Sequence, residues 1–248
     1  MTPNPNDFEK YKLDDKKCVK LMEQERWKEA WECFEKNHID KIMIFTSPEP
    51  AYLRGAVLHE LERYQDAIEW FDQGLAINDP TKIMHAQLYY AKGLALNHLG
   101  KHEEALESLD KSLKIDSDNP VALTEKGLAL VNSGRFGDAI EWYDKSLAID
   151  KNYIPSLINK GLALSRLDKF QDAFDIFHKV YDLDQKDVEA IRQLGAMLAN
   201  LAQLETSPLV RKSLFDDALV WFRKALKLDP KNLDLIFEID IIVKMMRN

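Results

Sequence analysis

Apolar residues recur along this chain at helical spacing over most of its length. Leu123, Gly127, Leu130 and Val131 fall on one helical stripe, and Phe136, Ala139, Ile140, Tyr143 and Leu147 on a second. Between the stripes lies Asn132-Ser133-Gly134-Arg135, a turn signal with a glycine suited to ending a helix. The pattern predicts two helices joined by a tight turn.

That unit repeats. Lys92-Gly93-Leu94-Ala95-Leu96 returns 34 residues later as Lys126 to Leu130, and again as Lys160 to Leu164. One more step lands on Gly195. Twelve residues after Gly55, Gly93, Gly127 and Gly161 stand Ala67, Ala105, Ala139 and Ala173. A ring precedes each alanine by three residues (Tyr64, His102, Phe136, Phe170), and a bulky side chain follows it by four (Phe71, Leu109, Tyr143, Phe177). Trp27, Ala30 and Phe34 repeat the triplet near the start, with Cys18 in the small-residue slot. Phe215, Ala218 and Phe222 repeat it near the end, after 11 inserted residues. A glycine on one helix facing an alanine on the next lets two backbones approach closely. Such a pair cannot bury its whole apolar surface alone, so neighbours must stack.

The motif resembles the tetratricopeptide repeat, a 34-residue helix–turn–helix unit with small, alanine, aromatic and proline positions at set offsets. The late proline is in register only as Pro230, and Leu58, Leu96, Leu130, Leu164 and Leu198 stand where the family often has tyrosine. The resemblance implies an all-α fold, a right-handed α-solenoid of stacked antiparallel helix pairs. Six repeats are expected at about 11–44, 48–81, 86–119, 120–153, 154–187 and 188–232. A polar tail (1–10) precedes them, and a C-terminal capping helix (233–248) follows.

In proteins of this type the first helices line a concave groove that grips a peptide or helix. The matching positions are Tyr52, Ala56 and His59; Tyr90, Leu94 and Asn97; Thr124, Leu128 and Asn132; Ile158, Leu162 and Arg166; and Arg192, Ala196 and Asn200. An apolar, aromatic centre edged by amides is typical of recognition surfaces. The alternative is that Leu94, Leu128 and Leu162 only pack neighbouring first helices together. Some family members clamp a terminal carboxylate with basic and amide residues. The matching positions here carry Leu94, Glu125, Leu128, Leu162 and Glu189, and only Asn159 and Arg192 fit that chemistry.

Charge narrows the partners. Acidic residues outnumber basic ones by 42 to 34, for a net charge of −8. Such a chain repels phosphate backbones, so neither nucleic acid nor an anionic membrane is an expected partner. The partner is a protein or peptide, and self-association is an alternative. Lys92, Lys126 and Lys160 form a ladder, read as solvated stems rather than a site for an acidic partner. With no signal-peptide core at the amino terminus, the expected compartment is the cytoplasm and the expected state of Cys18 and Cys33 is two free thiols.

No catalytic signature, metal set or cofactor motif stands out. Gly134 and Gly137 lack the lysine and strand of a phosphate loop. His98 and His102 are four apart but separated by Gly100, and read as packing residues rather than ligands. The chain is therefore expected to be a non-catalytic adaptor, with a regulatory subunit or a self-associating scaffold as alternatives. Two irregular segments remain. Leu201–Pro208 is predicted to extend the sixth first helix and restart a helix at Ser207-Pro208. The terminal helix is predicted to bury Ile236, Ile239, Val243 and Met246. Phe237, Ile241, Ile242 and Met245 then provide an apolar surface for association.

Overall fold

The structure is a computed structural model that describes residues 16–36, 47–78 and 82–247. The expected polar tail (1–10), the ends of the first repeat and Pro80 lie outside the described residues. Helix α1 covers residues 16–23. It is followed by α2 (Trp27–Lys36), α3 (Glu49–Glu60), α4 (Tyr64–Leu75), α5 (Ile83–His98), α6 (His102–Ile115) and α7 (Pro120–Asn132). Then come α8 (Phe136–Ile149), α9 (Ile154–Arg166), α10 (Phe170–Leu183), α11 (Val188–Leu204), α12 (Pro208–Leu228) and α13 (Leu233–Met245). All regular structure among the described residues is helical, and the fold is an all-α solenoid of helix pairs. The chain forms two compact units that divide after Asn132.

Four of the pairs close on a glycine. In the first unit the Gly55 α-carbon lies under the Phe71 ring, and Gly93 under Leu109. In the second unit Gly161 lies under Phe177 and Gly195 under Phe222. Phe71 and Phe177 are fully buried, and Leu109 and Phe222 almost so. A β-carbon on any of these glycines would meet the opposing side chain, so the small residue sets the helix separation.

Turns within the pairs share one backbone feature. Glu25, Glu62, Gly100, Gly134 and Asp168 all take the left-handed conformation, two residues before the ring position. Only two of the five are glycine, the residue that adopts this shape without penalty. The next helix then starts without a side-chain cap. An ion pair onto its first turn replaces the cap: Arg63 to Asp66 at 2.5 Å and Arg135 to Asp138 at 2.7 Å. Helices α7, α11 and α13 do carry side-chain caps, whereas α3, α5 and α9 carry none. Asn119 accepts from Val121 and Ala122, Asp187 from Ala190, and Asn232 from Leu235.

The lysine ladder is paired within the fold. Lys92 pairs with Asp72 at 2.5 Å, Lys126 with Asp110, and Lys160 with Asp144 at 2.5 Å. Each pair ties a first helix to the second helix of the preceding repeat within the same unit. These ammonium groups are not held out for an acidic partner. Between the fifth and sixth repeats the two positions hold His178 and Leu194, and the ladder stops there.

The first pair departs from the sequence expectation. Cys18 and Cys33 are joined in a disulfide, with α-carbons 5.5 Å apart, so the free-thiol reading is overturned. Cys18 occupies the small-residue slot and is fully buried beside Ala30, Phe34 and Val57. Two cysteines facing each other across one helix pair satisfy disulfide spacing directly.

The insertion lengthens both helices of the sixth pair. Compared with α9 and α10, α11 gains four residues and α12 seven, which accounts for the eleven inserted. Ser207 precedes α12 and Pro208 opens it. The extended tip exposes Leu204, Leu209 and Val210, with Leu209 at 83%.

Candidate functional site

In the first unit, α3, α5 and α7 are neighbours. Their shared face carries Tyr52, Ala56 and His59, then Tyr90, Leu94 and Asn97, then Leu128 and Asn132. All are half-buried except Asn132, which is exposed. The Asn132 Nδ2 donates to Asn97 Oδ1 at 3.0 Å, fixing the ends of α5 and α7 side by side. Asn97 Oδ1 also lies 2.9 Å from His102 Nδ1. Thr124 does not belong to this surface. It is buried, and its hydroxyl donates to the Pro120 carbonyl at 2.6 Å. Its neighbour Glu125 is half-buried, and burial raises its pKa. Glu125, named above among the first-helix positions, stands three residues before Leu128, on one helical face.

Three rings pack at the turn end of this face. Tyr64 stacks on His98 with centroids 4.8 Å apart, and His59 meets both edge-on at 5.2 Å. Burial, and then the nearby His98, hold the His59 pKa below that of a free histidine, while Glu60 acts in the opposite sense. His59 Nε2 is buried with no hydrogen-bond partner. As the pH falls, the unfolded chain therefore takes up this proton before the folded one. Stability is full above the unfolded value of about 6.5 and is lost as the pH drops through the folded pKa. The urea midpoint is expected to fall between about pH 7.5 and 5.5, and His59→Leu to shrink that difference.

The second unit presents a different surface. Ile158 is half-buried against Leu157, Val180 and Ala190, and serves the core. Leu162 is exposed and Asn200 half-buried. Arg192 is not open to a ligand. Its guanidinium binds Glu189 at 2.6 Å and Glu238 of α13 at 2.8 Å, and the Glu189 bond leads in raising its pKa. The arginine thus clamps the terminal helix onto α11.

That helix keeps three of its four predicted inward residues and departs from the predicted phase at two positions. Leu235 and Ile242 are buried, and Ile239, Val243 and Met246 pack beside them. Ile242 therefore faces inward and Ile236 outward, the reverse of the expectation. Phe237 at 65% exposure and Met245 at 41% stay on the outer face, with Leu233, while Ile241 is half-buried.

No helix of the described residues is long and apolar enough to cross a membrane, and no cluster of three metal-ligating side chains occurs among them.

Helix pairs closed on a glycine and tied to one another by lysine–aspartate pairs define a helical repeat protein. Residues 49–118 and 84–152 match the tetratricopeptide repeat. Solved structures show the same fold. MamA from residue 41 onward, from Desulfovibrio magneticus RS-1, is 24% identical with a TM-score of 0.62, covering 72% of this chain and 97% of its own. The C-terminal part of a tetratricopeptide repeat protein from Cytophaga hutchinsonii is 17% identical with a TM-score of 0.66, over 90% and 98%. YrrB, described as having an unusual peptide-binding site, is 19% identical with a TM-score of 0.59, over 84% and 95%. No curated protein matches the chain.

Proposed function

We propose that the protein is a non-catalytic interaction module that binds an extended or helical segment of a protein partner on the first-helix face of its first unit. The observation that carries this reading is the face of α3, α5 and α7 itself. It groups Tyr52, Tyr90, Leu94 and Leu128, half-buried and apolar, beside a fixed pair of amides. Surfaces of aromatic and aliphatic anchors with a few hydrogen-bonding groups are those that recognise peptides. Among the described residues, the Asn97 Nδ2 and Asn132 Oδ1 atoms make no hydrogen bond and are available to a ligand backbone. YrrB, of the same fold, has a peptide-binding site, which supports the reading.

The test is a pull-down from native lysate with the wild type beside a Tyr90→Glu, Leu128→Glu double variant of equal helicity. A partner held by the wild type and released by the variant is the expected result. A partner held by both refutes the groove. If the captured protein is an enzyme, the module is a regulatory subunit rather than an adaptor.

A second reading rests on α13. Its outer face leaves Leu233, Phe237 and Met245 exposed, which favours self-association through this helix. In an antiparallel pair centred on Ile239, Leu233 meets the partner's Met245, Phe237 the partner's Ile241, and Asp234 the partner's Lys244. Light scattering is expected to show a dimer mass that Phe237→Asp converts to a monomer. A concentration-independent monomer in the wild type removes this reading.

A further inference from the structure

Glu125 is the one acidic side chain in the centre of the first-unit face that the fold leaves unused. It lies half-buried on α7, three residues before Leu128. Among the described residues it takes part in no hydrogen bond and no ion pair. Burial raises its pKa, and no nearby charge offsets that. Three lysines of α5, α6 and α7 are held elsewhere. Lys126, its neighbour in sequence, binds Asp110, and Lys92 of α5 binds Asp72. Lys111 lies over the Tyr89 ring at 5.6 Å.

A carboxylate in apolar surroundings without a counter-ion is half of an ion pair. Removal from water disfavours its charge, and a cation arriving in the same low-dielectric setting restores it. The apolar neighbours decide what must accompany that cation. The Asn132–Asn97 bond holds α7 beside α5, so Tyr90 and Leu94 adjoin the Glu125 and Leu128 surface. Packed helices stand about 8–10 Å apart and an extended chain advances about 3.3 Å per residue. A ligand residue on α5 and one on α7 are therefore about three positions apart.

We propose that the first-unit groove selects a segment that sets a lysine or arginine on Glu125, about three positions from an apolar residue seated on Tyr90 and Leu94. The inference rests on the groove reading above and adds the charge of the partner. It agrees with the chain's net charge of −8, which draws basic segments toward it.

The test uses a random 12-residue library displayed on phage, selected on the full wild-type chain and on Glu125→Lys and Glu125→Gln variants. The wild-type pool is expected to enrich lysine or arginine at one position with an apolar residue about three away. The Glu125→Lys pool is expected to turn acidic at that position. For a synthetic peptide from the wild-type pool, changing its basic residue to methionine weakens binding to the wild type by about tenfold. The same change alters binding to Glu125→Gln less than about twofold, because the pairing is already gone. Should Glu125→Lys fail to fold, the Glu125→Gln comparison carries the test. A pool that lacks a basic position and is indifferent to Glu125, yet is lost with Leu128→Glu, overturns this inference and leaves the groove standing. No wild-type pool, or one that survives Leu128→Glu, overturns both.

Discussion

Replacing Gly55 with alanine is expected to destabilise the protein by about 2 kcal/mol, and replacing Gly137 with alanine to stabilise it by about 0.5–1 kcal/mol. Both glycines lie in helices, so alanine gains up to about 1 kcal/mol of helix propensity at either site. The surroundings decide the sign. At Gly55 the new β-carbon would stand 2.3, 2.6 and 2.9 Å from three atoms of the Phe71 ring. That ring is fully buried and has no room to swing away. Overpacking of this kind reaches about 3 kcal/mol, which outweighs the propensity gain. At Gly137, in the first turn of α8, nothing lies within 4 Å and the gain stands alone. Urea denaturation followed by circular dichroism measures both. A Gly55→Ala protein as stable as the wild type would show that the pair does not close on its glycine.

Opening the Cys18–Cys33 bond is expected to remove about 3 kcal/mol from the first helix pair, the value for a closed loop of about 15 residues. The bond spans a sequence separation of 15 and joins α1 to α2. In four other pairs a glycine lies under a bulky side chain, Leu109 or a phenylalanine ring. Here a covalent link accompanies Phe34 instead. Thiol titration of the denatured, unreduced protein is expected to find no free thiol, and two after reduction. The urea midpoint should fall on reduction and in Cys33→Ser. Two free thiols before reduction would return the pair to the reduced state expected in a cytoplasm.

The repeat was legible because its signal is a fixed spacing of few residue types. Glycine, alanine, ring and bulky side chain recur at set offsets, and each has one steric job. What the spacing could not reveal depends on which neighbour arrives. Arg192 occupies a groove position, but Glu238, 46 residues away in sequence, captures its guanidinium. Thr124 and Glu125 differ by one helical step, and that step separates a buried hydroxyl from a half-exposed carboxylate. The terminal helix is apolar almost all round, so its stripe had no clear phase; contact with the last pair set Leu235 and Ile242 inward. The repeat spacing does not mark the disulfide, because pairing follows from two side chains meeting across a turn.

The lysine–aspartate ladder bears on how such a chain grows. Each rung joins Asp110 or its equivalent to a lysine 16 or 20 residues onward, in the next block. A tandem copy of residues 86–119 would carry both halves of the contact, its Lys92 falling 16 residues after the Asp110 before it. A copy of residues 120–153 would do the same with Lys126 and Asp144, so either of these two blocks renews the same joint. Duplication of one block lengthens the array without inventing a new interface, as long as the copy falls before His178 and Leu194, where the matching residues end.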